Sequence, residues 1–149
     1  MRVKSPKLRQ YSGDLEDSCI EFHGHGGPFM VVGLKMGLAA LMNLDAFGWF
    51  DIKCKVFLNW APPDSCVIDG IQISTGCTMG KHNIVVVEQS GVMVEFTSEA
   101  KLIRLQLKNE VLEDIRGILE RDGEAVRDYM DKLVAADESE LFNIEIQSF

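Results

Sequence analysis

Residues 28–44 read Pro-Phe-Met-Val-Val-Gly-Leu-Lys-Met-Gly-Leu-Ala-Ala-Leu-Met-Asn-Leu, and no other stretch limits the fold of this chain so strongly. A helix that is apolar on nearly every face has to be buried on nearly every face. Seventeen residues are short for a membrane span and Lys35 stands at their centre, so the stretch predicts a helix inside a protein and not in a bilayer. Pro28 suits the first helical turn. Gly33 and Gly37, four apart, leave one face bare enough for another backbone to come close. That face suits packing against a sheet or a twofold partner, and the apolar surround leads us to expect a homodimer.

Around this helix the hydrophobic pattern changes period. A shorter helix is expected at about 14–22. Strict alternation puts Ile52, Cys54, Val56, Leu58 and Trp60 on the core face of a strand, with Lys53, Lys55, Phe57 and Asn59 opposite. Four further strands are read at 84–88, 92–97, 102–108 and 142–147, the second and third strands of the chain being joined by the turn Gln89-Ser90-Gly91. Helical spacing links Val111, Leu112, Ile115, Ile118 and Leu119, and again Val126, Tyr129, Met130, Leu133 and Val134. Another helix runs from Cys66 to about Ser74, opened by the corner Pro62-Pro63-Asp64-Ser65 and closed at Thr75-Gly76. The order lacks a βαβ rhythm, so the expected class is α+β, one domain over 1–149 built on a five-stranded mixed sheet flanked by helices.

With 149 residues and 46% apolar composition, one core suffices to bury the chain. The opening Met1–Lys7 is basic, but Arg9–Glu21 is polar where a leader would need an apolar run, and a cytoplasmic protein is expected. Net charge is −8, and from Glu110 onward 12 acidic residues face 4 basic ones, against 11 of each before it. An acidic helical face repels phosphates, which excludes nucleic acid as a natural partner; no membrane partner is implied either.

The four cysteines, Cys19, Cys54, Cys66 and Cys77, form no CxxC pair, which rules out a zinc ribbon. All three histidines fall in two segments, Phe22–Pro28 and Cys66–Asn83. In His23-Gly24-His25 an extended backbone would point both imidazoles the same way, and neutral imidazoles that converge suit a transition metal. Cys66, at a helix start, is placed where amide donors and the helix dipole favour thiolate. A thiolate beside two imidazoles makes a three-ligand zinc site with an open position. Cys54 and Cys19 read as structural thiols.

Cys77 lies eleven residues beyond Cys66, about 16 Å along a continuous helix. Either the chain turns back after Gly76, or Cys77 serves a site in a second copy of the chain, or it is structural. Asp69 and Gln72, three and six residues after Cys66, share its helix face and could support the same cleft. Thr75–Asn83 has the glycines, hydroxyls and lysine that could cradle an anion, with Lys81, His82 and Asn83 as its polar groups, although it is no P-loop.

Three blocks in order, Phe22-His23-Gly24-His25 with Pro28, Cys66-x-x-Asp69-x-Ile71-Gln72, and Thr75-Gly76-Cys77-Thr78-x-Gly80-Lys81-x-Asn83, resemble the formylmethanofuran dehydrogenase E-subunit family over about 15–108. The resemblance implies a thioredoxin-like α+β core, often dimeric, with a metal-binding active site. Where that family has His-Gly-His-x-Cys-Pro-Gly, this chain has Gly27 for the cysteine and Phe29 for the last glycine. Residue by residue, the carry-over leaves His23, His25, Cys66 and Cys77 as metal ligands, with Asp69, Gln72, Lys81 and Asn83 around them and His82 as a replacement ligand. The cysteine-rich zinc finger of many relatives has no counterpart in these residues. The implied metal is zinc, with nickel or another divalent transition metal as the alternative. The implied partner is a molybdenum or tungsten redox enzyme complex, though no molybdopterin or iron–sulfur motif is present here. A non-catalytic dimeric interaction module with a degraded metal site is the competing expectation.

Overall fold

The computed structural model describes residues 10–149; the basic opening Met1–Lys7 lies outside the described residues. Helix α1 (Gly13–His23) starts at Ser12, whose hydroxyl accepts the Leu15 N–H, an ordinary N-cap. Helix α2 (Pro28–Leu44) then enters the core, followed by β1 (Lys53–Leu58), α3 (Cys66–Thr75), β2 (Ile84–Glu88), β3 (Val92–Thr97) and β4 (Lys101–Leu107). Helices α4 (Asn109–Leu119), α5 (Gly123–Ala135) and the short α6 (Glu138–Leu141) lead to β5 (Phe142–Ser148). The class is α+β, as expected. Helix α6 is unanticipated, and its signal is local: Asp137 and Glu140 form a capping box.

The five strands make one mixed sheet in the order β2-β1-β3-β4-β5, parallel between β1 and β2 and antiparallel elsewhere. The turn Gln89-Ser90-Gly91 therefore does not close a hairpin; it carries the chain past the end of β1, which lies between β2 and β3. The unit β1–α3–β2 is a parallel crossover, the one βαβ connection in a sheet otherwise joined in antiparallel fashion. Trp60 departs from the expected core face: β1 ends at Leu58, the corner at Asn59–Pro63 begins, and Trp60 is exposed.

Helix α2 explains its own composition. It touches β3 and β4 on one side and α3 and α5 on others, and Phe29 through Leu34, Met36 and Ala39–Leu41 are all buried. Gly33 and Gly37 are used by α3: a Cβ on Gly33 would stand 2.1 Å from the Val67 carbonyl oxygen and one on Gly37 would stand 1.8 Å from the Ser74 hydroxyl. The bare face thus packs against helix α3 and not against the sheet. Lys35 donates from Nζ to the carbonyls of Leu133 (2.9 Å), Val134 (3.0 Å) and Ala136, at the C-terminal end of α5 where a cation is favoured, although burial pulls its ammonium below the usual lysine value. No helix among the described residues is long and apolar enough to cross a membrane.

Candidate functional site

The two histidines meet, by a route other than extended backbone. His23 is the last residue of α1, and Gly24 reverses the chain with φ +102°, a conformation open to glycine at little cost. The reversal leaves the rings of His23 and His25 with centroids 4.7 Å apart. Gly26 and Gly27 then lead into Pro28 at the start of α2.

The first turn of α3 faces this pair. Asp69 Oδ2 lies 2.5 Å from His23 Nδ1, and the His23 side chain is only 10% exposed. Its Nε2 is buried with no hydrogen-bond partner. A carboxylate that accepts from Nδ1–H fixes the tautomer in which Nε2 carries a lone pair. His25 Nδ1 stands 3.2 Å from the Gly26 carbonyl. One helical turn back from His23, Cys19 is fully buried, and burial with the nearby Asp69 pushes its thiol up to about 12. It stays protonated and acts as core, as expected.

Cys66, one turn before Asp69 on α3, is half-buried. The expected bias toward thiolate is reversed: burial first, then the charges of Asp69 and Asp64, push this thiol up. The helix start is outweighed by burial first and then by two carboxylates close by in the sequence. Asp64 is itself buried and held by both terminal nitrogens of Arg116, at 3.1 and 3.0 Å. That fork pins the start of α3 to α4, and a partner 52 residues away has no signature in local sequence. Among the described residues, no three His, Cys, Asp or Glu side chains stand close enough to hold one metal ion together.

The other predicted residues gather at the opposite end of α3, whose ten residues span about 15 Å. Cys77 follows the C-cap Gly76 (φ +78°) and is fully buried in the core, at the end of α3 away from Cys66. His82, at φ +57°, closes the single 3-10 turn Met79–Lys81 and is exposed. Like Cys77, it lies in the connection after the C-terminal end of α3, whereas His23 meets the first turn of that helix. Asn83 is buried; its amide donates to the carbonyls of Trp49 (2.6 Å) and Ile52 (3.2 Å) and its oxygen accepts the Thr78 N–H.

The anion cradle is also turned inward. The N–H groups of Gly76, Cys77, Thr78, Lys81 and His82 donate within the segment or to α3, and Lys81 Nζ donates to the Thr78 hydroxyl at 3.2 Å. Gln72 is half-buried on α3, and its carbonyl accepts from Gly76. The residues 77–83 thus connect α3 to β2 with hydrogen bonds made among themselves, to α3 and to the carbonyls of Trp49 and Ile52.

Comparison with known proteins bears on this geometry. The profile of the family described as FmdE, Molybdenum formylmethanofuran dehydrogenase operon, matches residues 22–143. A probable S-adenosyl-L-methionine-binding protein of Archaeoglobus fulgidus is 37% identical over 71 residues, which is 44% of this chain and 18% of that protein. This chain therefore spans less than a fifth of that relative's length. Among solved structures, a tungsten formylmethanofuran dehydrogenase FmdE-like protein from Syntrophus aciditrophicus superimposes with a TM-score of 0.66 at 19% identity, covering 99% of this chain and 78% of that one. At that identity the likeness speaks for the fold.

Proposed function

The chain belongs to the FmdE family, and from that premise we propose that it binds a divalent transition metal, zinc first and nickel as the alternative, at His23 and His25. The observation that carries this reading is the buried, partnerless Nε2 of His23 on a ring whose Nδ1 is held by Asp69, the arrangement in which a carboxylate orients a metal-binding imidazole. Cys66 would complete the set by giving up its proton to the cation's field, since a thiol that coordinates a metal is deprotonated. Two imidazoles and one thiolate leave a fourth position for water or substrate, the composition of a Lewis-acid or metal-handling site. A reducing cytoplasm, where these thiols stay free, is the matching location.

The test is calorimetric titration of zinc and of nickel into wild type, His23→Ala, His25→Ala and Cys66→Ser, with circular dichroism to follow the fold. Binding by wild type that is weakened in the histidine variants supports the site; equal binding by all four proteins places the metal elsewhere. A second reading is favoured by one observation: no third ligand is already in place among the described residues. In that reading the chain is a non-catalytic interaction module, working beside a second copy or a redox enzyme through exposed apolar residues such as Phe22, Phe50 and Met79. A wild-type protein that binds neither metal would select it.

A further inference from the structure

Helix α2 begins without the partners that a first helical turn needs. Its N-cap is Gly27, which has no side chain to offer, and its first turn holds no acidic residue. Pro28 has no N–H, and the Val31 N–H is taken by the Gly27 carbonyl. The N–H groups of Phe29 and Met30 are left with no acceptor among the described residues, although Phe29 is only 1% exposed and Met30 not at all. Buried N–H groups are rarely left so. These two also stand at the positive end of a seventeen-residue helix.

The histidine pair adjoins this end of α2. The His25 ring lies 4.7 Å from the His23 ring between centroids, and its Cε1 lies 3.7 Å from where a Gly27 Cβ would stand. His23 adds its own unsatisfied atom, the buried Nε2, on a side chain that is 10% exposed. A nitrogen lone pair therefore lies in the same neighbourhood as two N–H donors, and the first suits a cation while the others suit an anion. The way in from solvent passes residues with little side chain: Gly24, His25 and Gly26 are exposed and Gly27 is half-buried.

We infer that the ligand of this site carries a carboxylate, which accepts from the Phe29 and Met30 N–H groups at the start of α2, beside the metal assigned above to His23 and His25; the inference rests on that assignment. A carboxylate has two oxygens to share between the N–H groups and the position left open on the metal. Its single charge matches the partial positive charge of a helix start. A phosphate dianion would call for an arginine or lysine as well, and among the described residues none bonds to His23, His25 or Asp69.

The isotope-labelled full chain is titrated with sodium acetate, and with sodium chloride at equal ionic strength, with and without zinc, while its amide resonances are followed by NMR. The amide protons of Phe29 and Met30 should move downfield and saturate with acetate but not with chloride, and they should saturate at a lower acetate concentration once zinc is bound. Gly27→Asp supplies a carboxylate from within the chain, since an N-cap aspartate accepts from the N–H groups of the first turn. In that variant acetate should no longer move the two amides, and the melting temperature should not fall below that of wild type. Zinc binding with both amides unmoved by acetate would overturn the carboxylate and leave the metal site standing. Amides that answer acetate in a protein that binds no zinc would support the carboxylate and fail the metal reading. Phosphate moving them more strongly than acetate would overturn the class of ligand. The wild-type readings decide the matter even if the variant fails to fold.

Discussion

His23 Nδ1 and Asp69 Oδ2 lie 2.5 Å apart across forty-six residues of sequence, and this contact locks the end of α1 to the first turn of α3. It gives the imidazole one fixed orientation and leaves its far nitrogen buried without a partner.

Asp69→Asn keeps the shape of that contact and removes the charge. If the carboxylate orients His23 for a metal, zinc affinity should fall about 10- to 100-fold, the range seen when such supporting groups are changed, with the circular dichroism spectrum unchanged. Calorimetry checks this, and an unaltered affinity would show that Asp69 serves the fold alone.

Gly27 is the position where the family carries a cysteine, and the local backbone can accept one. Its φ is −162°, extended, and a Cβ there would sit 3.7 Å from His25 Cε1, in ordinary contact with nothing closer. Gly27→Cys should therefore place a thiol beside the imidazole pair, at the N-terminus of α2 where thiolate is favoured. We expect at least about tenfold tighter zinc binding from the added ligand and, with cobalt as the probe, a thiolate charge-transfer band absent from wild type. A variant that folds and binds no better would contradict the placement of the site.

The elements were legible where their signal is local. Helix α2 is found at Pro28–Leu44 as expected, because a segment apolar all round admits one solution. Strand order was not legible: the parallel partner of β1 is chosen by the crossover through α3, and Gln89-Ser90-Gly91 gives no hint that another strand lies between the two it connects. The candidate site divides the same way. The His23/His25 pair is written in neighbouring residues, whereas the ion pair of Asp64 with Arg116 and the contact of His23 with Asp69 join positions far apart in the chain. Burial, which a helix start in sequence does not reveal, is the first cause that reverses the expected thiolate at Cys66.

Cys66 yields a pH prediction. Its thiol is pushed up by burial, then by Asp69 and Asp64, so at neutral pH less of it is thiolate than in an ordinary free cysteine. Iodoacetamide should label it more slowly than a model thiol at pH 7, and the rate should keep rising past the pH where the model thiol levels off. Removing a nearby negative charge lowers the cost of ionising, so Asp69→Asn should shift that profile toward lower pH. A wild-type profile lying below that of the model thiol would mean that the helix dipole prevails after all.

The last prediction concerns Gly70, beside Asp69 on α3. A Cβ at this position would stand 2.3 Å from the Met30 carbonyl oxygen and 2.7 Å from the Leu34 nitrogen. Both are backbone atoms of a buried helix and cannot swing aside, so the only relief is for α3 to move off α2. Overpacking of a tight core costs about 1–3 kcal/mol and sometimes more, and for a chain of this size each kcal/mol lowers the melting temperature by roughly 2–4 °C. Gly70→Ala should melt several degrees below wild type. Because α3 also carries Asp69, the shift should loosen the contact with His23 and weaken metal binding in the same variant. Gly117→Ala supplies the opposite sign: that glycine is exposed inside α4 with nothing within 4 Å of a new Cβ, and alanine there should stabilise by about 0.4–1 kcal/mol and leave metal affinity alone. Differential scanning calorimetry of the two variants, read beside their zinc titrations, tests whether the close approach of α2 and α3 sets the geometry of the site; equal melting temperatures for Gly70→Ala and wild type would refute it.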